Sequence, residues 1–189
     1  MLKEYLLADL GRQFALEGRI EKASVPQLIM RALHHRFLPL LLCRCARAAW
    51  LRGTPILPKL FTYLNIVLFG IEIAPQCEVG AGLFLPHTTG TVIGAVRIGR
   101  NVTIFQGVTL GAKTLDMGFH PELRPVVGSD VMLGAGAKLL GGIHIGDYVT
   151  VGANSVVISD TAPGVTVVGI PARTVSTASP QTVTAGEKR

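Results

Sequence analysis

Charged and aromatic residues are both scarce in this chain. Asp, Glu, Lys and Arg make up 16% of its 189 residues and aromatics 6%, with a single tryptophan, against 49% hydrophobic residues. A chain disordered throughout needs the opposite balance, so most of this one must bury a core. Cysteines are few: Cys43, Cys45 and Cys77, an odd number without a C-x-x-C pair. That pattern, inside largely hydrophobic sequence, points to buried free thiols in a reducing, cytoplasmic setting. Long apolar runs are also missing. Residues 37–43 stop at Arg44 and residues 66–71 stop at Glu72, well short of the ~20 residues that cross a bilayer. The opening Met-Leu-Lys-Glu-Tyr places an acid before any apolar run, which is not the start of a secretory signal. The length allows one domain with at most a small appendage.

What charge there is lies unevenly. The net charge is +6, and residues 1–60 hold 10 Lys/Arg against 4 Asp/Glu. These basic residues are scattered among leucines and alanines, with no aromatic stacking positions and no recognisable reader motif, so nucleic acid is not the expected partner. A face carrying Arg31, Arg36, Arg44, Arg47, Arg52 and Lys59 reads either as a peripheral contact with an anionic membrane or as a solvated rim on a helical cap.

The period of the sequence changes near residue 70. Before it, Leu2, Tyr5, Leu6, Leu10 and Phe14 recur at helical steps, and Gly18, Ser24 with Pro26, Gly53 with Pro55, and Gly70 divide the stretch into three or four short helices. After it, aliphatic residues fall every six positions: Ile73, Val79, Leu85, then Ile98, Ile104, Leu110, then Val127, Leu133, Leu139, Ile145, Val151, Val157. Glycine follows many of them, as at Gly80, Gly99, Gly128 and Gly146, which suggests turns that need positive φ. Each hexad supplies one short strand and one sharp turn, and three hexads close one coil of a parallel β-helix. The fold class expected is therefore mostly β: a short helical segment (1–70), a β-helix (71–173) and a disordered tail (174–189). The register slips by one residue between Leu85 and Ile98, near His87, and by a longer excursion between Leu110 and Val127, which contains His120. Functional groups are expected at these two interruptions, because the coil itself is occupied with burial.

The motifs in 70–173 resemble the hexapeptide-repeat acyltransferases, and most closely the serine O-acetyltransferases: Gly-Ile-Glu-Ile-x-Pro at 70–75, His-Thr-Thr-Gly-Thr-Val-Ile-Gly at 87–94, Gln-Gly-Val-Thr-Leu-Gly at 106–111, His120-Pro121, Gly-Ala-Gly-Ala-Lys at 134–138 and Gly-Ile-Pro-Ala-Arg at 169–173. The resemblance implies a left-handed β-helix, a homotrimer and acetyl-CoA as co-substrate, with no metal. It also implies a base at His87, a carboxylate partner at Glu72, a second active-site histidine at His120, and CoA contacts at Gly111, Gly134, Ala135, Lys138 and Arg173. The chemistry agrees. Imidazole accepts a hydroxyl proton near neutral pH without help, and a carboxylate on its other nitrogen would fix the tautomer. Each residue also has a plainer reading: His87 as a turn residue, Glu72 as an exposed strand residue, His120 as loop surface, Lys138 and Arg173 as solubilising charges. His144 reads as an outward-facing strand residue.

The chain departs from the family at several places. An aspartate before the first histidine is Pro86 here, an arginine before the second is Phe119, and a further histidine is Ala74. Those losses remove the expected partners of an amino acid's ammonium and carboxylate, while Phe119 offers a stacking surface to a sugar ring. The acceptor expected on this reasoning is a sugar or polysaccharide precursor, with L-serine O-acetylation in cysteine biosynthesis as the alternative and Glu122 as a substitute acid. The C-terminus lacks the isoleucine that docks into the sulfhydrylase partner, so a cysteine-synthase complex is not expected. A zinc carbonic anhydrase lacks its close-spaced histidine pair here, and a non-catalytic solenoid would not need the two interruptions. For the acetyltransferase, His87→Ala should lower acetyl transfer by the ~10²- to 10⁴-fold of a lost general base or more. A folded His87→Ala protein with unchanged turnover would refute the assignment.

Overall fold

The computed structural model describes residues 2–177. Helices α1 (Leu2–Leu16), α2 (Val25–Arg31), α3 (Leu38–Leu51) and α4 (Leu57–Phe69) come first. Proline lies in the first turn of α2, α3 and α4, where a missing N–H costs nothing. Gly70 ends α4 in the left-handed conformation at φ 61°, and the chain passes at once into strand. No helix among the described residues is long and apolar enough to cross a membrane.

The rest is a three-faced parallel β-helix. One face stacks β1 (Ile71–Ile73), β3 (Thr91–Ile93), β6 (Thr109–Gly111), β9 (Lys138–Leu140) and β12 (Val156–Val157). The second holds β2 (Glu78–Val79), β4 (Arg97–Ile98), β7 (Val126–Val127) and β10 (His144–Ile145). The third holds β5 (Thr103–Ile104), β8 (Met132–Leu133), β11 (Thr150–Val151), β13 (Val165–Gly169) and β14 (Ala172–Thr177), the last pairing antiparallel. β14 therefore carries order past residue 173, where a tail was expected to start: its β-favouring Thr-Val-Ser-Thr finds an open edge on β13. The remainder of that tail, 178–189, lies outside the described residues.

Inward side chains stack in register: Val79, Ile98, Val127, Ile145 on one face; Ile73, Ile93, Leu110, Leu139, Val157 on another; Ile104, Leu133, Val151, Val167 on the third. All are buried, and each contributes ~1.5–3 kcal/mol by leaving water. Ile93 occupies a rung that the hexad count passed over, because the corner holding His87 is longer than a hexad. The glycines are also placed differently from expectation. Positive φ falls on two other ladders, Gly82–Asn101–Asp130–Tyr148 and Gly90–Gly107–Gly136–Asn154. Gly99, one of the glycines following an aliphatic residue, is instead demanded by crowding: a Cβ there would lie 2.5 Å from the Gly128 carbonyl of the next coil.

The helices close the open end of the prism. Leu6, Leu10 and Phe14 of α1 and Leu40 and Cys43 of α3 join the same core as the strands. Their docking is fixed by one buried ion pair. Asp9, with no exposed surface, accepts from Arg44 Nε and Nη2 at 2.9 Å and from the backbone N–H groups of Gly82 and Leu83 at 2.9 and 3.0 Å. Arg44 in turn donates to the carbonyls of Val79 and Gly80 at 2.5 and 2.6 Å. Arg47 similarly donates to the carbonyls of Pro75 and Gln76. Two members of the basic face are thus structural ties to the first coil, which removes them from any membrane-facing rim. Cys43 and Cys77 are buried free thiols, as expected, whereas Cys45 is only half-buried, and burial pushes the Cys43 thiol up to about 11. Arg44→Met should destabilise the protein by about 3–5 kcal/mol, because it strands Asp9 as an unpaired buried charge. Denaturant unfolding would measure it, and a loss under about 1 kcal/mol, the scale of an exposed pair, would contradict the assigned role.

Candidate active site

The chain leaves the coil after β6 and returns at β7, and the excursion is pinned to the prism by one arginine. Arg124 is largely covered by the fold; its Nη1 donates to the Gly94 carbonyl at 3.0 Å, at the end of β3. Gly94 must be glycine for this, since a Cβ would meet Nη1 at 2.5 Å. Through Nε, Arg124 donates to Asp116 Oδ2 at 2.6 Å, and through Nη2 to the Asp116 backbone carbonyl at 3.0 Å. Its guanidinium also lies 4.3 Å from the Phe119 ring centroid, a cation–π contact.

Asp116 is the hub of the excursion. Its side chain has no exposed surface. Oδ1 accepts from Gly118 N–H at 3.1 Å and lies 2.7 Å from His120 Nδ1; Oδ2 accepts from His120 N–H at 3.0 Å. These bonds, the one from the His120 ring foremost, hold the Asp116 carboxyl down at about 2. The same bond raises His120 above the ordinary histidine value. The His120 ring packs against Gly118, whose Cβ would lie 2.4 Å from Cε1. Phe119 takes φ 53°, a strained setting for a bulky residue, which the surrounding bonds to Asp116 maintain.

Beneath this loop, on the outer surface of the β1–β3–β6 face, is a cavity of about 350 Å³ lined by Glu72, Val92, Thr109, Met117, Phe119 and Arg124, among others. It brings together one acid, one guanidinium and one aromatic ring. Of the residues expected at the site, Glu72 and Gly111 line this cavity. His87 is exposed at the corner before Gly90. No hydrogen bond among the described residues joins Glu72 to His87. Glu72 pairs in register with Val92, on the face that follows the corner, whereas His87 precedes it. His120 is 60% exposed at the loop. Lys138 Nζ donates to the Gly107 carbonyl of the adjacent coil. Gly134 is required by crowding, its Cβ falling 2.7 Å from Ala153 N, whereas the space beside Gly111 is open. Arg173 is exposed on β14, where its side chain donates to the Ala172 carbonyl. His144 faces outward on β10, as expected.

Asp116 and Arg124 went unrecognised in the sequence. The signal available was an aspartate four residues before His120 and eight before an arginine, within Asp-Met-Gly-Phe-His-Pro-Glu-Leu-Arg.

The fold and the repeat define a class first. The family model "Bacterial transferase hexapeptide (six repeats)" matches residues 124–159. Narrower likenesses follow. The chain is 44% identical over 138 residues to a serine acetyltransferase of Helicobacter pylori strain J99, covering 72% of this chain and 79% of that protein. It superposes on the Neisseria gonorrhoeae serine acetyltransferase solved in complex with serine at a TM-score of 0.77 and 33% identity, covering 93% of this chain and 69% of that one. A further serine acetyltransferase, solved in complex with CoA, gives 0.76 and 31%, covering 92% and 69%. The chain belongs to the serine acetyltransferase family. It spans 54% and 59% of the length of the relatives from Synechococcus elongatus and Mycobacterium tuberculosis.

The clamp on the loop has a defined pH window. The depressed Asp116 carboxyl adds stability that is complete above the ordinary carboxylate range and lost as pH falls through about 2. The raised His120 adds stability that is complete below its ordinary value and lost as pH rises through its own titration. Arg124→Ala should free the excursion, with faster amide exchange at Gly118 and His120 and a melting temperature changed less than in Arg44→Met. Unchanged exchange at both amides would contradict the clamp.

Proposed function

We propose that this chain is an acetyl-CoA-dependent O-acetyltransferase whose acceptor is L-serine, built as a left-handed β-helix and working as a homotrimer. The observation that carries the acceptor is the cavity holding Glu72 and Arg124 together. A carboxylate and a guanidinium are the groups that match an amino acid's ammonium and carboxylate, and relatives of the same family are serine acetyltransferases, one of them solved with serine. The expectation of a sugar acceptor rested on Pro86 and Phe119 standing where charged residues were looked for, whereas the relatives named above are serine acetyltransferases. Its physical weakness is now plain. Arg124 brings a cation to the cavity from five residues beyond Phe119, with three of its five N–H groups engaged and two left to donate.

In this reading His87 is the general base. Its neutral nitrogen takes the hydroxyl proton as the serine oxygen attacks the thioester carbonyl carbon; the tetrahedral intermediate collapses with loss of the C–S bond, and the CoA sulfur leaves with the electron pair. A thiol of pKa about 8.5 is a competent leaving group without a strong acid. Glu72 and Arg124 hold the acceptor, and His87, at the corner that precedes the cavity's face, meets it at a boundary between neighbouring coils or subunits. CoA lies along Gly111, Gly134 and Ala135, with Lys138 and the exposed Arg173 near its phosphates.

Thiol release from acetyl-CoA should be measured with L-serine, simple sugars and nucleotide sugars. L-Serine should saturate with KM in the ~1 μM to 1 mM range of working enzymes. Turnover of a sugar without turnover of serine would overturn the acceptor.

A further inference from the structure

We propose that Asp116 is a positioning residue of the acetyl-transfer site, holding His120 with Nδ1–H toward its carboxylate and so leaving Nε2 as a charged donor to the acceptor's carboxylate. This rests on the function proposed above, but its geometry stands apart from it. The Asp116 side chain is wholly enclosed, and its two oxygens accept from the His120 ring, from two loop amides and from Arg124. An exposed histidine is free to turn its ring and to choose its tautomer. His120 is not, because Nδ1 lies 2.7 Å from Oδ1 and the ring packs against Gly118.

The acceptor oxygens of Asp116 leave one orientation for the imidazole proton. Arg124 Nε and two backbone N–H groups can only donate, so the carboxylate stays ionised and accepting, and Nδ1 must carry hydrogen to meet it. Titration of His120 is thereby confined to Nε2. Below its pKa, Nε2–H is a cationic donor; above it, Nε2 is a bare acceptor that repels an anion. The charged groups around the ring are Asp116, Glu122 and Arg124. Asp116 and Glu122 favour the imidazolium and Arg124 opposes it, and the direct bond to Asp116 is the largest influence. The arrangement keeps a cation at the loop tip, about one helical turn of sequence before Arg124. His120 follows the lining residues Met117 and Phe119 on the same loop, so in this proposal an acceptor carboxylate meets Arg124 from the coil and His120 from the cavity's rim. The carboxylate between them sets their spacing.

Long-range proton–nitrogen NMR spectra of the full chain, titrated across neutrality and assigned with His120→Gln, read the tautomer and the pKa of His120 directly. The result expected is a neutral form protonated on Nδ1, the minority tautomer of free histidine, and a titration above the ordinary value. In Asp116→Asn that titration should fall. The KM for L-serine should rise about tenfold or more, the scale of a lost charge-assisted hydrogen bond, with kcat changed less, and the alkaline limb of kcat/KM should move to lower pH. A neutral His120 protonated on Nε2 in the unmodified protein would overturn the proposal, as would an unmoved titration in Asp116→Asn. Equal loss of activity at every pH, with the limb in place, would show a merely structural role. The tautomer is read without any variant, so a poorly folding Asp116→Asn leaves the test intact. If L-serine is not acetylated at all, the acceptor assignment fails, while the titration still decides the state of His120.

Discussion

Every rung of the prism must sit on the rung below, and the rest of the molecule follows from that. Three ladders of buried aliphatic side chains keep the parallel strands in register, and a one-residue slip would turn each of them outward. Extra residues can therefore be accommodated only at corners. The chain adds them at two: the corner that holds His87 and the excursion that holds His120. Both histidines sit where the coil tolerates irregularity, and the inward positions carry no chemistry.

The two places where irregular chain meets the coil are secured in the same way. Asp9 and Asp116 are each wholly enclosed, each accepts from an arginine Nε, and each accepts from two backbone amides. The arginines then reach on to coil carbonyls, Arg44 to Val79 and Gly80, Arg124 to Gly94. A buried carboxylate satisfied on both oxygens is costly to form and costlier to disrupt, which suits it to fixing one docking geometry. In the helical cap this joins α1 and α3 to the first coil. In the excursion it shapes a cavity wall and aims an imidazole.

The six-residue period was legible because burial is periodic, and the helical segment was legible from its punctuation by Gly18, Pro26, Pro55 and Gly70. The roles of individual glycines were not, since two demands favour the same residue. Gly107 answers a dihedral angle and Gly99 answers an approaching carbonyl, and sequence does not separate them. Ile93 was hidden because the His87 corner shifts its spacing. Arg44 looked like surface charge among its neighbours, for its partner Asp9 lies 35 residues away. At the site, His87, Glu72 and His120 were chosen by motif, and of the three Glu72 lines the cavity. Asp116 and Arg124 were missed because their relation depends on how the loop folds back, with Phe119 at positive φ. Reading positions 86 and 119 in isolation led toward a sugar, since a charge lost at one position can be supplied from another.

In the function proposed above, one site gathers Glu72, Arg124 and His87 around an amino-acid acceptor. A crystal structure of the protein with CoA and L-serine tests it most directly. Serine is expected in the cavity between Glu72 and Arg124, its hydroxyl ~2.6–3.2 Å from a His87 nitrogen of the same or a neighbouring subunit. Serine bound away from both charged residues, or with its hydroxyl out of reach of any His87, would contradict it.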